Sequence, residues 1–134
     1  MNKAFLYGSV LAVLYTGMVK AQNTLDTSIY FADPAIFHYK NKFYLYGTDG
    51  FNADSGFHAA VSDDLRHWKK LPGNKRALSS GEAFGSKGFW APQIFVHRNK
   101  IYMAYTANEH IAIAVSSSPA GPFRQKEPVS LQAP

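Results

Sequence analysis

Asp33-Pro34-Ala35-Ile36-Phe37-His38-Tyr39-Lys40-Asn41-Lys42-Phe43-Tyr44-Leu45-Tyr46-Gly47-Thr48 returns later in the chain as Ala91-Pro92-Gln93-Ile94-Phe95-Val96-His97-Arg98-Asn99-Lys100-Ile101-Tyr102-Met103-Ala104-Tyr105-Thr106. Seven of the sixteen aligned positions are identical at a constant offset of 58. A repeat at fixed period constrains architecture more than any local propensity, because each copy must bury its apolar faces against its neighbours. The shared frame of Pro, Ile-Phe, Asn-Lys, Tyr and Thr reads as two aromatic and β-branched runs around a polar turn, which predicts a β-hairpin in each copy.

A third run follows each hairpin, Phe57 to Ser62 in the first copy and Ile111 to Ser116 in the second. Each ends in Val-Ser and passes through a polar turn to an aromatic, Trp68 or Phe123, that starts a short fourth strand. A unit of about 50 to 60 residues with four antiparallel strands is the signature of a β-propeller blade. Apolar residues do not alternate cleanly with polar ones, as expected of sheets covered on both faces. The expected fold is therefore all-β, with about two four-stranded antiparallel blades, blade I at about 31–75 and blade II at about 89–134. Between them, Leu71 to Gly88 is rich in Gly, Ser, Lys and Asn and reads as a long loop. Propellers close with about four to eight blades. The offset places a third copy near residue 149, after Pro134, so further C-terminal blades are expected to complete the ring.

The region before the first copy has a different character. Lys3 precedes a largely apolar run from Ala4 to Val19, and Val19-Lys20-Ala21 carries small residues at cleavage spacing, so residues 1–21 read as a signal peptide. Gly8, Tyr15, Thr16 and Gly17 interrupt the run, which is short for a membrane anchor. The formal charge of +5 includes Lys3 and Lys20, so the part from Gln22 to Pro134 carries +3. Its basic residues are scattered, which argues against nucleic acid as a partner. The chain has no cysteine, which excludes disulfides, thiolate chemistry and a lipid-modified cysteine. A secreted or periplasmic protein without a membrane anchor is expected.

Four segments stand in order: Phe31-Ala32-Asp33-Pro34 with the Phe43 to Thr48 strand; Ser62-Asp63-Asp64-Leu65-Arg66-His67-Trp68; Phe89-Trp90-Ala91-Pro92 with the Ile101 to Tyr105 strand; and Ser116 to Phe123. Together they resemble glycoside hydrolases of family 43, the second being similar to that family's Ser-x-Asp-Leu-x-x-Trp turn and the fourth to its Ser-x-x-Pro-x-Gly-Pro-Phe segment. The resemblance implies a five-bladed propeller, of which this is the N-terminal part. It also implies inverting hydrolysis of arabinose- and xylose-containing plant polysaccharides or oligosaccharides, of α-L-arabinofuranosidase or β-xylosidase type. In that chemistry one carboxylic acid protonates the leaving oxygen while a carboxylate takes a proton from water on the opposite face of the sugar.

By the same resemblance Asp33 is the general base, and the general acid and a third carboxylate fall in later blades, so the 134-residue chain is expected to be inactive alone. The repeat adds an internal control. The residue aligned with Asp33 is Ala91, so a blade can form without a carboxylate there, although Asp before Pro is also a common turn former. Trp90 and Phe31 are the expected substrate-binding aromatics, Trp90 competing with a core role between blades. Trp68 reads as packing in an outer turn. Gln93 stands where the family often has an acidic residue. Glu82, Glu109 and Glu127 match no motif and are expected to face solvent. His38, His58, His67, His97 and His110 lack zinc-binding spacing, so no metal or cofactor is expected of these residues, although some propeller hydrolases hold a central ion through a histidine of a later blade. A non-catalytic carbohydrate-binding or pseudoenzyme propeller fragment is the alternative reading.

Overall fold

The computed structural model describes residues 29–131; the signal-peptide reading of residues 1–21 lies outside them. The first sheet contains β1 (Phe31–Tyr39), β2 (Lys42–Asp49), β3 (Gly56–Ser62), β4 (Lys69–Lys70) and β5 (Arg76–Ser79). The second contains β6 (Trp90–His97), β7 (Lys100–Ala107) and β8 (His110–Ser116). Strands β1 to β4 run in sequence order with antiparallel pairing, as do β6 to β8. The all-β blade architecture expected from the repeat is therefore present, the helical content among the described residues being two 3₁₀ turns, Ala53–Ser55 and Pro72–Asn74.

The hairpin turns sit one residue earlier than the Asn-Lys pair suggests. Tyr39 pairs with Lys42 and His97 with Lys100, so the turn residues are Lys40-Asn41 and Arg98-Asn99. Arg98 and Asn99 both have positive φ, as do Asn108 and Glu109 between β7 and β8. That is the backbone of a two-residue turn whose twist matches the strands it joins.

The fourth position of each blade is filled piecewise. In the first sheet β4 pairs with Ala60 and Val61, while β5 pairs with Gly56, Phe57 and His58, so both lie along the outer edge of β3. In the second sheet two isolated bridges occupy the corresponding edge of β8, Val115 with Arg124 and Ile111 with Leu131. The segment Leu71 to Gly88, read as loop from its composition, thus contains strand β5. Backbone groups of β3 left free beyond β4 need partners, and Arg76–Ser79 supplies them.

The two sheets stack with opposite faces in contact. Tyr44, Tyr46 and Thr48 of β2 share one face; the residues aligned with them, Tyr102, Ala104 and Thr106, are only partly covered. It is the other face of the second sheet, with Ile94, Ile101, Met103, Tyr105, Ala112 and Ala114, that is buried in the common core. Repeated units that stack in one direction must use their two faces in this way. The centre is aromatic. Phe57 meets Phe89 and Tyr105 edge-on at centroid distances of 5.8 and 5.7 Å, and Phe89 stacks on Tyr105 at 5.9 Å. Each such pair contributes about 0.5–1.5 kcal/mol beyond its buried area. Strand β6 packs against β1 and β2, which brings the starts of the two repeats together.

Candidate active site

Each repeat begins with a β-bulge. Ala32 pairs with Thr48 and Ala35 with Tyr46, so Asp33 and Pro34 together oppose the single residue Gly47. In the second sheet Trp90 pairs with Thr106 and Gln93 with Ala104, so Ala91 and Pro92 together oppose Tyr105. The extra residue bends the strand and re-aims one side chain. Asp33 and Ala91 take the same left-handed conformation, with φ of 47° and 49°. This region is costly for residues other than glycine and is a place where strain collects at functional sites. Gly47 permits the first bulge to settle: a β-carbon there would lie 2.4 Å from Cβ of Phe31 and 2.8 Å from the Ala32 carbonyl oxygen.

The bulge leaves the Asp33 side chain exposed. One oxygen is held, because Thr48 donates its hydroxyl to Asp33 Oδ2 at 3.1 Å. The same hydroxyl accepts the backbone N–H of Ala91 at 3.1 Å, so Thr48 joins the carboxylate of the first bulge to the backbone of the second. Thr48 itself is only 7% exposed. It was not among the residues singled out from the sequence; its identity in both copies, against the change from Asp33 to Ala91, is the signal that marks it.

Trp90, the neighbour of Ala91, is 43% exposed, unlike a core tryptophan. Its ring rests on Gly88, where a β-carbon would come within 3.3 to 3.5 Å of three indole carbons. Gly88 has φ of 61° and donates its N–H to Asp54 Oδ1 at 2.7 Å, and Phe89 N–H donates to the Ala53 carbonyl at 2.8 Å. The segment before Trp90 is thereby tied to the β2–β3 connection. Phe31 is half-buried, its Cβ passing over Gly47. Two more aromatics stand at this end of the first sheet. Phe51 is 90% exposed, and its ring centroid lies 6.0 Å from that of Tyr30. The sequence drew no attention to either, since neither belongs to a repeated motif.

Nearby carboxylates have other duties. Asp49 Oδ1 accepts the N–H groups of Phe51 and Asn52, and its Oδ2 faces Arg76 at 3.5 Å and His58 at 3.7 Å. Asp49 has its carboxyl held below the usual range: burial, the largest influence, pushes it up, but those two N–H bonds, Arg76 and His58 together outweigh it. Glu82, expected to face solvent, instead pairs with Arg124 at 2.8 Å and accepts the Ser79 N–H. The Ser62 to Trp68 turn is bonded mostly within itself, apart from the Lys42–Asp63 pair at 2.7 Å. Ser62 Oγ accepts the N–H groups of Asp64 and Leu65, and Asp64 Oδ1 accepts those of Arg66 and His67.

Among the described residues no group of three or more His, Asp or Glu side chains is placed to hold a metal ion. Two open clefts, of about 660 and 450 Å³, lie beside the β5 and Ala120–Pro122 region and beside the Lys40-Asn41 turn; neither is lined by Asp33, Phe31 or Trp90.

Comparison with known proteins fits this arrangement. Residues 27–133 match the family model described as glycosyl hydrolases family 43. An endo-1,4-β-xylanase from Bacteroides thetaiotaomicron is 42% identical, with a TM-score of 0.69 over 77% of this chain and 35% of its own. A thermostable family-43 glycoside hydrolase is 33% identical, with a TM-score of 0.58 over 70% of this chain and 31% of its own. A β-xylosidase/α-arabinofuranosidase of the same family from a compost microbial metagenome, solved with xylotriose, is 26% identical, with a TM-score of 0.64 over 78% of this chain and 37% of its own. No curated protein matches the chain. The chain spans about a third of the length of these solved structures. With residues 27–133 of its 134 covered by the family model, the chain belongs to the glycosyl hydrolases of family 43.

Proposed function

We propose that this chain supplies the first two blades of an exported propeller hydrolase that cleaves arabinose- or xylose-containing plant polysaccharides or oligosaccharides with inversion, Asp33 acting as general base. The observation that carries this reading is the pair of equivalent bulges. Ala91 adopts the backbone of Asp33 without a carboxylate, so folding does not demand one at position 33. An exposed carboxylate at a strained position, with an exposed indole at the start of the adjoining blade, suits work on a sugar. In the proposed reaction Asp33 removes a proton from water as that water attacks the anomeric carbon, and an acid on the other side protonates the departing oxygen. Inverting enzymes set these two groups roughly 6.5–9.5 Å apart to admit the water. Trp90 offers the sugar an apolar face, with Phe31 bordering it. The xylosidase or arabinofuranosidase type rests on the relatives' activities and on the resemblance; no cofactor is required by the scheme.

The isolated chain is proposed to bind saccharide without turnover. Asp49 and Asp54 are committed to backbone N–H groups, so neither is free to serve as the acid. The test compares the 134-residue chain with the whole protein that carries it, using aryl arabinosides and xylosides. Turnover by the whole protein, its loss in Asp33→Asn, and none by the isolated chain are expected. Turnover by the chain that survives Asp33→Asn overturns the proposal.

A further inference from the structure

We propose that Thr48 is the positioning residue for Asp33, fixing which of its carboxylate oxygens is presented to water and coupling that choice to the docking of the second blade. The proposal rests on the reading of Asp33 as general base. Thr48 has one hydroxyl proton and gives it to Asp33 Oδ2; its oxygen in turn accepts the Ala91 N–H. With one lone pair occupied by the Ala91 N–H, the proton keeps two of its three staggered positions, and Asp33 Oδ2 is the acceptor it meets. A hydroxyl on a β-branched side chain in a strand is also stiff about χ1, so the donor does not wander. Among the described residues Asp33 Oδ1 accepts no hydrogen bond, which leaves that oxygen for water. The carboxylate stands on an exposed bulge; without this bond its χ2 is free, and the basic oxygen is spread over many orientations.

The geometry also makes the site conditional on assembly. The Ala91 N–H comes from the other sheet, 43 residues away in sequence. If the second bulge is displaced, Thr48 can turn its proton elsewhere, and Asp33 loses its orientation. In the second blade Thr106 occupies the position of Thr48, opposite Trp90 as Thr48 is opposite Ala32, but Ala91 gives it no carboxylate to orient. The dual role thus belongs to Thr48.

The experiment uses the whole protein carrying this chain and compares wild type with Thr48→Val, Thr48→Ser, Asp33→Asn and the Asp33→Asn/Thr48→Val double variant. Misplacing a reacting group by about 1 Å can cost on the order of 10²-fold in rate. Thr48→Val should therefore lower kcat by about that factor with KM changed by less than about threefold. Thr48→Ser should recover most of the loss. Measured on an activated aryl glycoside at high enzyme concentration, the double variant should match the small residual rate of Asp33→Asn alone, because a residue that acts through the base has nothing left to act on. A structural role predicts the reverse: a raised KM from movement of Trp90, and a further loss in the Asp33→Asn background. Either result overturns the proposal, as does a Thr48→Val enzyme with wild-type kcat. Wild-type turnover by Asp33→Asn would instead overturn the general-base reading. If Thr48→Val does not fold, Thr48→Ala against Thr48→Ser supplies the same comparison.

Discussion

Asp33 and Ala91 hold the same left-handed backbone conformation in two bulges that face one another across Thr48. One position carries a charge and the other a methyl group, yet the strands around them pair in the same two-against-one register. The carboxylate is therefore separable from the fold. Asp33→Ala should cost only about 1 kcal/mol, the worth of one hydrogen bond from Thr48. In the whole protein it should abolish sugar hydrolysis. Urea denaturation and turnover measured on the same sample check this, and a loss of folding in step with activity would count against it.

Gly88 is the support for Trp90. Replacing it with Ala puts a methyl group 3.3 Å from the indole and places a side chain at φ of 61°. The backbone penalty is about 1 kcal/mol, and the ring must lift from its seat. Saccharide affinity should fall about tenfold, as with a lost stacking contact of about 1–1.5 kcal/mol. Trp90→Phe should retain part of the affinity and Trp90→Ala should lose it. Titration of xylo- and arabino-oligosaccharides, followed by indole fluorescence in the wild type and Gly88→Ala and by calorimetry in all, distinguishes these outcomes.

How far the sequence reaches can be judged from these same residues. The offset between Asp33 and Ala91 exposes the repeat, and the Ile-Phe and Tyr frames place both hairpins, because hairpin pairing is local. β5 is hidden because four residues, Arg76–Ser79, carry too short a pattern and form a strand only where β3 lacks a partner. Thr48 is hidden for a related reason: its role depends on an N–H from a different sheet. Exposure of Trp90 follows from the Gly88 turn beneath it, and a tryptophan between two blades could as readily have been core. Phe51 and Tyr30 show their aromatic faces only once the β2–β3 connection is in place. Residues whose duties are set by neighbours distant in sequence are the ones a linear reading misses.

The blades are also joined through Tyr46. Its buried hydroxyl donates to the Pro119 carbonyl in the turn after β8, and its ring meets Phe123 edge-on at 6.3 Å. Burial raises the Tyr46 phenol far above the ordinary range, so it remains a donor at every pH the protein tolerates. Tyr46→Phe keeps the ring but leaves a buried carbonyl without its partner, which should cost about 1–3 kcal/mol. Trp68→Phe, which removes the bond to the Leu65 carbonyl in an exposed outer turn, should cost less than about 0.5 kcal/mol. Equal losses by urea denaturation would show that the inter-blade bond has no special weight.

Stability should fall in two steps as pH is lowered, and the first belongs to His58. Burial, then the Arg76 cation, and more weakly Lys70, hold its imidazole below the usual range, against the opposing pull of Asp49 and the Lys75 carbonyl. The unfolded chain then binds the proton first, near about pH 6.5. Wherever the unfolded state holds more protons, stability rises with pH. The His58 contribution is thus complete above about pH 6.5 and is lost as pH falls through the folded value. Asp49, with its depressed carboxyl, contributes fully above about pH 3.9 and loses that contribution at still lower pH. Asp64, lowered chiefly by the His67 backbone N–H and side chain, adds to the same acid step. Melting temperatures from pH 8 to 3 should show both steps. His58→Gln should flatten the upper one and leave the lower. Asp49→Asn should steepen the upper one, since His58 loses its only nearby anion among the described groups and keeps Arg76. If His58→Gln leaves the slope between about pH 7 and 5 unchanged, the step arises from another group.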